Sequence, residues 1–106
     1  MITVKIERNK DNNIIAFWAQ GHAEYAPYGE DIICAAISAI LQTAVFGLQE
    51  YLELKPDVST DDGWLNCRLQ SKLACDQEVK AILETMLVGL KETAKAYSDY
   101  IKIEEV

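Results

Sequence analysis

Ile2, Val4 and Ile6 alternate with Thr3, Lys5 and Glu7, the period-two pattern of a strand with one wet face. Asn9 to Asn13 (Asn-Lys-Asp-Asn-Asn) follows, a set of mostly short polar side chains that suit a turn and tolerate positive φ. From Ile14 to Gln20 the chain is apolar on both faces, which predicts a second strand inside the sheet, in a hairpin with the first. Gly21 to Glu30, with Gly21 and Gly29 at its ends and Pro27 between, predicts a loop, and at about ten residues it exceeds the usual 4 to 6. Loops of that length often carry function. Asp31 is placed to cap a helix from Ile32 to about Leu52, stopped by Lys55-Pro56-Asp57.

Val58 to Thr60 and Trp64 to Gln70 predict a short and a longer strand joined at Asp61-Asp62-Gly63, with Leu65, Cys67 and Leu69 on one face of the longer one. Asp76 opens a second helix, whose Val79, Ile82, Leu83, Met86, Leu87, Leu90, Ala94 and Tyr97 recur at spacings of three and four and form one amphipathic stripe. Alternation returns from Tyr100 to Glu105 through Ile101 and Ile103. The order β-β-α-β-β-α-β predicts an α+β fold, a mainly antiparallel sheet packed with two long helices.

A chain of 106 residues has room for one such domain, spanning 1 to 106. Ten Lys plus Arg against seventeen Asp plus Glu leave a net charge of -7, which disfavours direct binding to nucleic acid and to anionic membranes and favours a basic protein partner. Three cysteines without close pairing fit a reducing cytosol better than a disulfide-stapled secreted scaffold, and the first residues lack the apolar core of a signal peptide. Ile32 to Gln49 carries no charge and is the sole candidate membrane span, but its Ser38, Gln42, Thr43 and Gln49 fit a helix buried on most sides better. So apolar a helix, or an exposed edge strand, would be a liability in a monomer, and a homodimer is the expectation.

The single histidine, His22, sits in the loop, and Cys34 follows twelve residues later. With Asp31 as N-cap, Cys34 would be the third helical residue, where free N–H groups and the helix dipole stabilise a thiolate. Nucleophilic acyl transfer needs such a thiolate, an imidazole to deprotonate it and then protonate the leaving amine, and amides to hold the oxyanion. Each residue also has a plainer role: Cys34 as a small core hydrophobe, His22 as a surface residue, Asp31 as a cap only, and Ser38, one turn after Cys34, bonding back to the i-4 carbonyl. Tyr25 and Tyr28 could belong to a lid that contacts substrate or could cover a core edge. Cys67 and Cys75 complete a formal Cys3His set, but without a C-x-x-C knuckle no metal site is expected, and no phosphate, dinucleotide or zinc-protease motif is present. No cofactor is expected.

The segment Gly21-His22-Ala23, followed by Tyr28-Gly29-Glu30-Asp31-Ile32-Ile33-Cys34-Ala35-Ala36-Ile37-Ser38, resembles the ribosomal-processing cysteine protease family, Prp. The resemblance implies a bacterial cytosolic endopeptidase that removes a short N-terminal extension from a large-subunit ribosomal protein. It maps the catalytic cysteine onto Cys34 and the catalytic histidine onto His22, covers Asp31 and Ser38 as candidate supporting residues, and implies a homodimer with a mobile loop, here Ala23 to Glu30, over an apolar cleft. Gly21 and Gly29 would be the hinges of that lid. Two other classes stay open on the residues alone: a non-catalytic acidic dimer that docks on a basic ribosomal protein, and a thiol redox sensor pairing Cys34 with Cys67 or Cys75.

Overall fold

The computed structural model describes the backbone of residues 1–21 and 27–106 and the side chains of residues 1–21 and 32–106. The first two strands, β1 (Ile2–Arg8) and β2 (Ile14–Gly21), form the expected antiparallel hairpin. Its turn is tied by Asn9, whose Oδ1 accepts from the N–H groups of Asp11 and Asn13, both at 3.0 Å, while Asn12 takes φ 66°. Next come α1 (Pro27–Phe46), a π-helical turn (Gly47–Tyr51), β3 (Asp57–Asp61) and β4 (Trp64–Arg68). The chain ends with α2 (Ser71–Ala74), α3 (Gln77–Ala96) and β5 (Ile101–Glu105).

The strands lie in the order β3-β4-β2-β1-β5, all neighbours antiparallel except β1 and β5, which run parallel. β2 is therefore central, which accounts for its apolar residues on both faces. The registers Val4↔Ala19, Ile6↔Phe17 and Phe17↔Cys67 place Ile2, Val4, Ile6, Phe17, Ala19 and Cys67 on one face. Both long helices cover that face, α1 through Ile33, Ile37, Leu41, Val45 and Leu48, and α3 through Val79, Leu83, Leu87 and Leu90. The opposite face carries Lys5, Trp18 and Asn66 in register and ion pairs such as Arg68 Nη2 to Glu7 Oε1 at 2.8 Å. Asp76 caps α3 as expected, its side chain accepting from the Glu78 N–H.

Two expectations are corrected. Helix α1 starts at Pro27 and not at Ile32, so of the expected Gly21 to Glu30 loop Gly21 belongs to β2, Pro27 to Glu30 belong to α1, and residues 22–26 lie outside the described residues. Proline suits a first helical position, where its missing N–H would have had no acceptor and its φ is already helical. Asp31 is consequently the fifth residue of α1, inside the helix, and not its N-cap. The second correction is α2, one turn that no periodicity could announce, which occupies the chain just after the expected Trp64 to Gln70 strand; that strand ends at Arg68.

One side chain ties three elements together at the far end of β1. Arg8 donates from Nε to Glu105 of β5 at 2.6 Å, and from Nη1 and Nη2 to Glu84 of α3 at 2.8 and 3.1 Å. Hydrogen bonding to Arg8 holds the Glu105 carboxyl below its ordinary 4.5, against a smaller opposing effect of burial. A carboxyl depressed in the fold contributes stability that is present above the unfolded value and lost as pH falls through the folded one. Melting temperature should accordingly hold above about pH 4.5 and decline below it. Arg8→Leu should start lower and decline less steeply in the same melts between pH 6 and 3, and an unchanged acid limb would show that the cluster contributes nothing.

Candidate active site

β2 ends beside the start of β1, at one end of the sheet. Gly21, the last residue of β2, takes φ 85°, a left-handed value that side chains disfavour. A Cβ at this position would collide with the Met1 carbonyl oxygen, a backbone atom that cannot rotate away. Gly21→Ala should therefore cost stability as well as turnover, on the order of 1 to 3 kcal/mol for strain of this kind. Denaturant melts read that loss, and an unchanged midpoint would mean that the Met1 strand end shifts freely.

His22 and Tyr25 lie outside the described residues, and so do the side chains of Tyr28 and Asp31; the backbone of both belongs to α1, as does Gly29, which is therefore a helical residue and not the expected loop hinge. Cys34 is described: it is half-buried on α1 and packs against the edge of the core. It is the eighth residue of the helix and not the third, which changes the chemistry available to it. The N–H groups without intrahelical acceptors are those of the first four residues, and the dipole's influence falls off within that turn. The amide of Cys34 is therefore engaged within the helix. It is thus not among the free amides of the helix start.

Helical geometry also assigns Cys34 a side. Ile33, Ile37 and Leu41 point into the core, while Ile40, Thr43 and Gly47 border α3. At 100° per residue, Cys34 and Ser38 lie on the other flank, away from α3 and on the side where α1 packs on β4. Ser38 is half-buried, and its Oγ accepts from Gln42 Nε2 at 3.1 Å. The bond back to the i-4 carbonyl is made instead by Thr43 to Ala39 and by Thr93 to Gly89.

The other two cysteines sit in different surroundings. Cys67 is buried on the helix-covered face of β4, and burial, helped by Asp57, pushes its thiol up to about 12, so it stays protonated and unreactive at neutral pH. Cys75 is exposed beyond α2, with its sulfur on the Lys72 carbonyl at 3.2 Å. One contact was not legible in the sequence: Trp64, 6% exposed at the start of β4, donates from Nε1 to the Gly21 carbonyl at 2.8 Å. A buried indole needs an acceptor, and that is the only signal the sequence offers for it.

Comparison with known proteins bears on this geometry. The sequence profile of the family described as cysteine protease Prp matches residues 1–102. The ribosomal processing cysteine protease Prp of Staphylococcus aureus is 33% identical over 103 residues, 97% of each chain. Its crystal structure in complex with a covalently linked product peptide superposes with a TM-score of 0.87 at 32% identity, covering 100% of both chains. The complex of the same S. aureus protease with a substrate peptide gives a TM-score of 0.86 at 31% identity, again covering 100% of both.

Proposed function

We propose, for a chain that belongs to the cysteine protease Prp family, that Cys34 is the nucleophile of its peptide-bond hydrolysis and His22 its general base and acid. The whole-chain match to a relative carrying a covalently linked product peptide supports the reading most directly. In this scheme the Cys34 thiol gives its proton to His22 and its sulfur attacks the scissile carbonyl. The tetrahedral intermediate collapses to a thioester as the amine leaves with a proton from His22. Water, deprotonated by His22, then attacks the thioester, and the thiol is regenerated as the acid product departs. Cys34 alone among the three cysteines combines partial exposure with a place in the family-like segment, since Cys67 is sealed in the core.

The substrate we assign is the precursor of a basic large-subunit ribosomal protein, cut to remove its N-terminal extension in the cytosol. The relatives' description as ribosomal processing proteases and the net charge of -7, which attracts a basic chain, support it. Incubating the protein, beside Cys34→Ala, with the extended precursor should give one new product mass with the native chain only. Intact precursor with both would remove the assignment.

We further assign a homodimer. The helix layer turns an apolar surface outward: Ile32, Phe46, Tyr51 and Val88 are exposed, and a groove of about 720 Å3 runs between α1 and α3. The stretch Ile32–Tyr51 is long and apolar enough to span a membrane by length and composition, yet its Ile33, Ile37 and Leu41 stripe is committed to the core. A second copy covering the outward stripe accounts for both. Val88→Arg should shift the mass by light scattering from dimer to monomer while leaving the fold intact, and a monomeric native chain would end the proposal.

A further inference from the structure

The geometry points to Trp64 as a positioning residue for His22, acting through the carbonyl of Gly21. The inference deepens the reading of His22 as base and acid and rests on it. Trp64 follows the two-residue turn Asp62-Gly63, with φ 50° and 81°, which reverses the chain so that β4 starts beside the end of β2. Its ring is buried, and its one donor is directed at the Gly21 oxygen, 43 positions away in sequence.

That carbonyl sits where the sheet's own ladder has run out. The β2–β4 pairing extends only to Trp18↔Asn66, so β4 has no backbone pairing with the last residues of β2. On the other side Ile2 is opposite Gly21, but its N–H donates to the Tyr100 carbonyl at 2.8 Å, towards β5. The Trp64 indole continues by side chain what the backbone no longer does. Because a peptide unit is planar, the Gly21 carbonyl and the nitrogen and Cα of His22 lie in one plane, and holding the oxygen orients all of them. The Met1 carbonyl, packed where a Cβ would be, limits the remaining torsion at Gly21. The Trp64 hydrogen bond and the packed Met1 carbonyl thus fix Gly21, the residue immediately before His22.

The distinguishing variant carries benzothienylalanine in place of Trp64, which keeps the ring's shape and replaces the N–H by sulfur. Trp64→Phe is its encoded counterpart, Trp18→Phe, on the open sheet face, controls for loss of an indole elsewhere, and His22→Gln tests the underlying reading. A misplacement of about 1 Å can lower turnover about 100-fold, so kcat should fall by at least about tenfold in the isostere. KM and the melting temperature should stay near native values, and the pH profile of kcat/KM should move, because the base no longer meets the thiol in one geometry. Trp18→Phe should keep native kcat. Native kcat in the isostere overturns the proposal, and so does a parallel decline of kcat, KM behaviour and melting temperature, which marks a structural role only. Should His22→Gln retain activity, the reading of His22 fails, and that failure is visible separately from the behaviour of Trp64.

Discussion

Cys34→Ala should lower peptide hydrolysis by at least about 1,000-fold, because removing a nucleophile removes the covalent route and leaves only binding and polarisation of the carbonyl. Folding should be nearly unaffected, since Cys34 is half-buried at the core's edge and alanine is a good helix former. His22→Gln should lose a comparable factor, and the double variant little more than either alone, because two groups that act as one unit are not additive. Alkylation separates the thiols independently of turnover. At neutral pH iodoacetamide should modify the exposed Cys75 and the Cys34 thiol, and spare Cys67, whose burial holds it protonated. Site-resolved mass spectrometry reads all three at once. Full activity in Cys34→Ala would mean another nucleophile, and Cys67 could not be it without opening the core.

Leu41→Ala is expected to have the largest effect on stability. Leu41 is fully buried midway along α1, in the stripe with Ile33, Ile37, Val45 and Leu48 that packs on the sheet. Truncating such a leucine loses transfer free energy and leaves a cavity, together about 3 to 5 kcal/mol. For a domain of this size each kcal/mol moves the melting temperature by roughly 4 to 8 °C, so the variant should melt at least about 12 °C lower or fail to fold. Val88→Ala, with its side chain outside the core on α3, should change the monomer's stability by no more than about 0.5 kcal/mol. Denaturant titrations of the two variants check the contrast. Equal losses would mean that the helices do not pack on the sheet through the stripe described.

Most of the fold was legible because it follows from local periodicity. The alternation of Ile2, Val4 and Ile6 made β1, the double-sided apolar run made β2, and the stripe that begins at Val79 made α3 behind its Asp76 cap, although its last member, Tyr97, lies exposed just past the helix end. Where local signals had two meanings, reading failed. Pro27 between two glycines is equally a loop breaker and a first helical residue, and the second meaning won, which moved Asp31 into the helix and Cys34 five residues further from its start than a cap at Asp31 implies. Cys34 keeps its place as the candidate nucleophile, because the family-like segment marks it whatever its helical position.

The sequence by itself determined the five strands and the two long helices, the core-facing side of most of them, the charge, and the presence of one histidine and one cysteine in a family-like segment. These depend on neighbours within a few positions, where the 2.0 and 3.6 residue periods act. Tertiary structure decided the strand order, with the last strand parallel to the first, the burial that quiets Cys67, and the bond from Trp64 to Gly21. Each of these joins residues far apart in the chain, and such contacts form only once the sheet has assembled and excluded water between them. A hydrogen bond from a buried indole is then worth making, because the alternative is a donor with no partner.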